Sequence, residues 1–336
     1  MTIFYRAGSW QEACFNSVFD LKMPVNRLLI LSADAEHYAA MIHAADLQQL
    51  DIVTADNVAS AEATVAGCNI ILGNPPWVSE VITSAQRLEW VQSSWAGVDR
   101  LCLPGSRTDY VLTGVKGVFG ALMSEYVFAY LYALERRLFT MHENQLRKHW
   151  QPLPYRHARD ITLGIIGLGS IGQHIARTAR YFGMRAIGLN RSGRPCEAVE
   201  TVYTVQQLAN FLEQPDYLVL TLPETPRTRH FISRGELEMM KPSAVLINVG
   251  RGSIINETDL VIALQNGMIG GAVLDVFSTE PLPPDSPLWH LPNVYLSPHQ
   301  AAVSFPEDVV AIFADNYRRF TNGQRLRHVV DFELGY

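Results

Sequence analysis

Ile161-Thr162-Leu163-Gly164-Ile165-Ile166-Gly167-Leu168-Gly169-Ser170-Ile171-Gly172 decides the fold of this 336-residue chain. An apolar run leads into G-x-G-x-x-G. Ile171, Ile175, Ala179 and Phe182 then keep a helical spacing that Gly183 ends. Strand, glycine turn and helix in this order form the context in which the pattern binds a dinucleotide. Gly167 would permit the tight turn, Gly169 the close approach of a pyrophosphate, and Gly172 the close packing of helix on sheet. Free N–H groups at the start of that helix, on Ser170, Ile171 and Gly172, would hold the phosphates. The ordinary alternative is a tight glycine-rich turn without a ligand.

The next strand, Met184-Arg185-Ala186-Ile187-Gly188-Leu189, ends at Asn190. NAD sites usually carry Asp or Glu here, accepting hydrogen bonds from the ribose hydroxyls. Asn190-Arg191-Ser192-Gly193-Arg194 lacks the carboxylate that would repel a 2′-phosphate, and Arg191 and Arg194 could pair with one. NADP(H) is therefore the expected cofactor ahead of NAD(H). The ordinary reading of the same residues is a solvated loop with two arginines.

Apolar residues make up 48% of the chain, enough for sizeable cores, and the length suits two domains. A formal charge of −6 argues against nucleic-acid or anionic-membrane partners. Cys14, Cys68, Cys102 and Cys196 show neither C-x-x-C spacing nor histidines at ligand spacing. They read as thiols of a reducing compartment, mostly buried filler, with no metal site. No run reaches membrane-spanning length and the N-terminus has no charged-then-apolar signal, so a cytoplasmic location is expected. Residues 1–22, with Trp10, Phe15 and Phe19, read as a docking arm or an extension of little function, and Met23 is an alternative start.

Strands are expected at Arg27–Ser32, Leu50–Ala55, Asn69–Asn74, Leu88–Ser94 and Tyr110–Thr113, with helices between the first four. This is a small parallel α/β domain lying before the glycine loop. A long helix is expected from about Val118 to His149, followed by a linker at Pro152 and Pro154. Later strands fall at Tyr217–Thr221, Ala244–Val249, Gly271–Asp275 and Val294–Leu296. Helices fall at Thr204–Gln214, Ser233–Met240, Glu257–Asn266 and Phe305–Asn322, the last returning to the first domain. The expected division is 1–117 with 299–336 for substrate and 118–298 for the dinucleotide, with the ligand cleft between.

Three polar residues follow successive strands of the second domain. Asn248-Val249-Gly250-Arg251-Gly252 places an arginine just beyond a strand, where an anionic substrate would arrive. Leu274-Asp275-Val276-Phe277-Ser278-Thr279-Glu280-Pro281 adds two carboxylates, and Leu296-Ser297-Pro298-His299-Gln300 a histidine. Taken singly, Arg251 could be a turn residue, Glu280 a solvated charge and His299 a structural histidine. As a set they gain force, because one sheet edge would receive all three.

In Gly167–Gly172, Leu220-Thr221-Leu222-Pro223-Glu224-Thr225, Asn248–Gly252, Asp275–Pro281 and Ser297-Pro298-His299, the chain resembles the D-isomer-specific 2-hydroxyacid dehydrogenases from about Arg27 onward. Asn190-Arg191-Ser192, Trp95-Ala96-Gly97-Val98-Asp99 and the tail Val330–Tyr336 make it most similar to the glyoxylate/hydroxypyruvate reductases. The resemblance implies an α/β architecture, with a Rossmann-type doubly wound parallel sheet inserted into a smaller flavodoxin-like domain, and a homodimer. It implies His299 as general acid, Glu280 as its orienting partner and Arg251 as the group binding a small 2-oxo acid. Backbone N–H groups of Ala96, Gly97 and Val98 would hold the substrate carboxylate. Asp275 would contact the nicotinamide carboxamide. Leu222 and Pro223 would line the adenosine side, and Val249 and Gly250 would also touch cofactor.

Two departures stand out. Thr221 stands where many relatives have His, and Gln300 follows the catalytic histidine where many have a small or apolar residue. Trp77, Trp95 and Trp289 lie in segments expected near the cleft, as limits on substrate size or as ordinary core. Two rival readings are a non-enzymatic NAD(P)-sensing scaffold of the same fold and a formate- or phosphite-type dehydrogenase.

Overall fold

The computed structural model describes residues 26–335. Residues 1–25 and Tyr336 lie outside it, and with them the expected N-terminal arm and Cys14. The first sheet contains β1 (Asn26–Leu31), β2 (Leu50–Ala55), β3 (Ile70–Gly73), β4 (Trp90–Ser93) and β5 (Val111–Thr113). Between them lie α1 (Ala35–Ala44), α2 (Val58–Glu62) and α3 (Pro75–Val81). Then come α4 (Phe119–Glu135), α5 (Leu138–Leu146), β6 (Thr162–Ile166), α6 (Ser170–Tyr181), β7 (Arg185–Leu189) and β8 (Thr201–Tyr203). The chain continues through α7 (Leu208–Leu212), β9 (Tyr217–Leu220), α8 (Arg234–Met239), β10 (Val245–Asn248), α9 (Glu257–Gln265), β11 (Gly271–Leu274), β12 (Val294–Leu296) and α10 (Pro306–Thr321).

Every strand pairing is parallel. Parallel sheets are covered on both faces, so their strands read as unbroken apolar runs. β3, β4, β9 and β11 are accordingly buried at every position. The first sheet runs β2-β1-β3-β4-β5, the flavodoxin-like order. The second runs β12-β11-β10-β9-β6-β7-β8. Counted from β6, that is the Rossmann order with one further strand beyond it. Strand order reverses between β6 and β9, and the glycine loop leaves β6 at this switch point.

Two elements join the sheets. Phe119, at the start of α4, packs in the first sheet's core with Leu28 and Ile30. Val127, Phe128 and Leu131 of the same helix pack with Leu163 and Ile165 of the second. α10 returns to the first sheet, burying Val309, Phe313 and Tyr317. There Phe313 stacks on Trp90 with ring centroids 5.1 Å apart.

The long helix expected over 118–149 is two helices. α4 stops at Glu135, and Arg137 adopts a left-handed φ of 56° before α5 begins. Propensity does not forecast this break, because arginine is a good helix former. Tertiary contacts hold it instead. Glu135 accepts hydrogen bonds from the Tyr217 hydroxyl (2.8 Å) and from Arg156, and Arg136 lies 4.2 Å over the Tyr155 ring. The expected Thr204–Gln214 helix contracts to a 3-10 turn plus α7. β8, absent from the sequence reading, is a three-residue edge strand with no fully buried position.

Candidate active site

The glycine loop has the sterics its sequence requires. Gly167 has φ +106°, and a Cβ there would lie 2.8 Å from Thr221 Oγ1. That hydroxyl donates to Gly167 O at 2.7 Å and so closes the turn. A Cβ on Gly172 would collide with Gly167 O, so only glycine lets α6 start against the turn. At Gly169 a Cβ would meet nothing within 4 Å. The open side faces the first turn of α6, whose N–H groups on Ser170, Ile171 and Gly172 have no intrahelical acceptor. An unfilled space beside free donors fits a dinucleotide pyrophosphate. Ile171 is half-buried and packs against the cores of both sheets.

Beyond β7 the loop folds on itself. Asn190 Oδ1 accepts from the N–H groups of Ser192 (3.1 Å) and Gly193 (2.6 Å), and its amide donates to Arg194 O (3.0 Å). This is the Asx-type turn that short polar side chains favour. Asn190 thus shapes the loop, while Arg191, Ser192 and Arg194 face solvent. A groove of about 700 Å³ runs beside it, lined by Leu168, Gln173, Arg177, Asn190, Ser192 and Arg194 among others.

At the carboxyl end of β10, buried Asn248 clamps the next turn. Its Oδ1 accepts from Gly250 N–H at 3.1 Å and its amide donates to Arg251 O at 2.9 Å. A Cβ on Gly250 would press on Leu222 O at 2.7 Å, and one on Gly252 would run into the backbone of Phe277. The loops after β9, β10 and β11 therefore touch backbone to backbone. Arg251 leans across to the first sheet: its Nε donates to Asp99 Oδ2 at 3.0 Å and its Nη1 to Gly250 O at 2.7 Å. Nη2 fills the place where residue 97 would carry a Cβ. The backbone N–H groups of Ala96, Gly97 and Val98 have no backbone acceptor.

Glu280 anchors itself and then a partner. Its Oε1 accepts from Phe277 N–H at 2.9 Å, and its Oε2 lies 2.7 Å from His299 Nδ1. The Glu280 hydrogen bond raises the His299 pKa above its usual value. Burial opposes the rise, and the Glu280 charge reinforces it. Burial pushes the Glu280 carboxyl up, but the bonds from His299 and Phe277 and the nearby charges outweigh it and hold it below the carboxylate norm.

His299 has φ +52°, a left-handed conformation that costs a histidine free energy unless its surroundings fix it. Asp275 fixes it. The buried carboxylate accepts from Ser297 Oγ (2.6 Å) and Gln300 N–H (2.8 Å) on one oxygen and from Ala301 N–H (2.9 Å) on the other. Its carbonyl accepts His299 N–H at 2.9 Å. Tyr126 of α4 lies 2.6 Å from Ser297 Oγ. The serine proton goes to a carboxylate that can only accept, so the tyrosine donates.

Of the residues expected from sequence, Arg251, Glu280 and His299 come to one edge, and the Arg251 guanidinium lies against Gly97. Asp275 turns to the histidine turn, and Gln300 spends its N–H there while its side chain is exposed. Trp77 packs on the first core, whereas Trp95 and Trp289 are about half exposed. Sequence reasoning passed over Asp99, Tyr126, Asn248 and the stapling role of Thr221. Only Asp99 had a signal, as an acid two residues beyond Gly97. Among the described residues no cluster of His, Cys, Asp or Glu could hold a metal, and no helix is long and apolar enough to cross a membrane. Cys68, Cys102 and Cys196 are free thiols, of which Cys68 is buried.

Residues 128–301 match the family profile of the D-isomer specific 2-hydroxyacid dehydrogenase NAD binding domain. A D-isomer specific 2-hydroxyacid dehydrogenase family protein from Aeromonas salmonicida is 46% identical, with TM-score 0.88, over 92% of this chain and 99% of that one. The NADPH-dependent glyoxylate/hydroxypyruvate reductase of Sinorhizobium meliloti, solved with NADP and sulfate, is 30% identical, with TM-score 0.83, over 93% and 100%. A D-isomer specific 2-hydroxyacid dehydrogenase from Xanthobacter autotrophicus, solved with NADPH and MES, is 29% identical, with TM-score 0.84, over the same shares.

Proposed function

The chain belongs to the D-isomer-specific 2-hydroxyacid dehydrogenases, NAD(P)-dependent oxidoreductases, and on that premise we propose that it reduces small 2-oxo acids of the glyoxylate and hydroxypyruvate type. The observation that carries this reading is the delivery of Arg251 and of the Glu280–His299 pair to the sheet edge where the glycine loop also opens, near enough for the Arg251 charge to act on both partners. NADPH is the preferred donor, with NAD(H) the weaker one. Asn190 supplies no carboxylate against a 2′-phosphate, Arg191 and Arg194 are exposed beside it, and the Sinorhizobium and Xanthobacter proteins were solved with NADP or NADPH.

When bound, the nicotinamide supplies a hydride; the chain's own groups supply placement and the proton. The N–H groups of Ala96, Gly97 and Val98 hold the substrate carboxylate. Arg251 polarises the 2-oxo group and stabilises negative charge developing on its oxygen. Glu280 occupies His299 Nδ1 and favours the protonated ring, so the other nitrogen, Nε2, delivers its proton to that oxygen. A D-2-hydroxy acid results, and in the reverse direction His299 takes the proton back. Asp275 and Ser297 keep the histidine turn in place.

The substrate lobe is proposed as 1–117 with 299–336 and the dinucleotide lobe as 118–298. A cytoplasmic homodimer completes the reading. α5 has no buried residue and exposes Leu138, Phe139, Met141 and Leu146, an apolar face suited to a second copy. Initial rates with glyoxylate, hydroxypyruvate, pyruvate and phenylpyruvate, each with NADPH and NADH, test the function. NADPH binding without turnover of any of them would overturn it in favour of a sensing scaffold. NAD-dependent oxidation of formate or phosphite would overturn it in favour of that chemistry.

A further inference from the structure

Two hydrogen bonds hold the Arg251 side chain, one from its own loop and one from the first sheet. Asp99 opens a 3-10 turn after β4, and Leu101 in that turn is buried in the first sheet's core. The turn, and the Asp99 carboxylate with it, is therefore fixed to the first sheet. From there Asp99 Oδ2 takes the Nε hydrogen of Arg251 at 3.0 Å. Gly250 O takes one on Nη1 at 2.7 Å. A guanidinium offers five N–H donors in a plane, and anions meet it along either the Nε–Nη2 edge or the Nη1–Nη2 end. With Nε spoken for, the donors left for a ligand gather at the Nη2 end. Nη2 lies against Gly97, beside the free N–H groups of the 96–98 segment.

We propose that Asp99 is the positioning residue that turns Arg251 end-on toward the 2-oxo acid, by holding Nε from the opposite side of the cleft. This rests on the 2-oxo acid reading and adds to it the edge of the guanidinium that the substrate meets. Without Asp99 the arginine keeps its charge but loses its direction. Asp99 also offsets part of the Arg251 charge, so selection at the site depends on oriented donors more than on net positive potential.

Asp99→Ala and Asp99→Asn test this against wild type, with steady-state rates in 2-oxo acid, NADPH affinity by fluorescence and Tm. Oxamate, an unreactive isostere of a 2-oxo acid, is titrated into the enzyme–NADPH complex as a readout that needs no turnover. Loss of a hydrogen bond to a charged group weakens binding roughly tenfold to a hundredfold. Asp99→Ala is expected to lower kcat/KM and oxamate affinity by that factor while NADPH affinity and Tm stay at wild type. Asp99→Asn, which still accepts from Nε, recovers most of the loss. Unchanged kcat/KM and oxamate affinity in Asp99→Ala would overturn the proposal. So would a lower KM, which would make Asp99 a competitor of the substrate, or equal losses in both variants with a lowered Tm. A wild type that binds oxamate yet turns over no 2-oxo acid removes the functional reading alone, because the oxamate ratio still judges Asp99.

Discussion

Gly97→Ala separates catalytic placement from folding. The added methyl would occupy the position of Arg251 Nη2, so the guanidinium has to retreat. Reaching ordinary van der Waals separation requires a shift of about 1 Å or more, and the Nε–Asp99 and Nη1–Gly250 bonds oppose it. A misplacement of about 1 Å costs on the order of 10²-fold in rate, or about 2.7 kcal/mol of transition-state stabilisation. The obstacle is the far end of a flexible side chain, so the fold itself is spared. The expected result is kcat/KM for the 2-oxo acid reduced about a hundredfold, with NADPH affinity and Tm at wild-type values. Gly252→Ala is the control, because its methyl meets the Phe277 backbone, which cannot swing away. It should lower Tm by several degrees, following an overpacking cost of about 1–3 kcal/mol. A Gly97→Ala enzyme within threefold of wild type in kcat/KM would refute the placement of Arg251 against Gly97.

His299→Ala should abolish turnover and leave NADPH binding nearly intact; residual turnover above a thousandth of wild type would remove His299 as the proton donor. Reduction needs His299 protonated, so activity holds below its pKa and falls as pH rises through it. Glu280→Gln replaces the carboxylate whose hydrogen bond, and then charge, raise that pKa, and the falling limb of the pH–kcat/KM profile should move to lower pH; a limb that stays in place contradicts the pairing. In the Asn190→Asp, Arg191→Ala double variant, Asp still accepts from Ser192 and Gly193, so the loop persists. Its ratio of kcat/KM for NADPH over NADH should drop about tenfold or more, whereas an unchanged ratio would make Arg191 a surface residue.

What could be read from sequence followed the range of the forces involved. Parallel strands announce themselves as apolar runs, and even the part-buried edge strands Leu50–Ala55 and Val294–Leu296 begin and end where the runs do. The glycine loop was equally plain, since its sterics are local. The α4–α5 break was not, because the residues that hold it, Glu135 bonded to Tyr217 and Arg156, and Arg136 over Tyr155, meet only in the tertiary fold. The chemistry at the sheet edge was legible as residue types at strand ends, but the directions of the side chains were not. Asp275 reaches forward to residues 297–301 rather than outward, and Asn190 turns back on its own loop. Asp99 lies 152 residues from the arginine it holds, so local pattern carries no trace of the pair.

The return of α10 to the first sheet also orders events during synthesis. Asn316 hydrogen-bonds Gln92 from 224 residues downstream, and Phe313 covers Trp90 from the same helix. As the chain emerges, β6 to β12 and their helices are complete before α10 exists, while one face of the first sheet still waits for its cover. The inserted lobe can thus close on the ribosome as a unit, whereas its host lobe, the earlier made, finishes last. Stalled chains ending before Pro306 should therefore show protease resistance over 162–296 and cleavage between 26 and 113, a pattern that full-length release should erase.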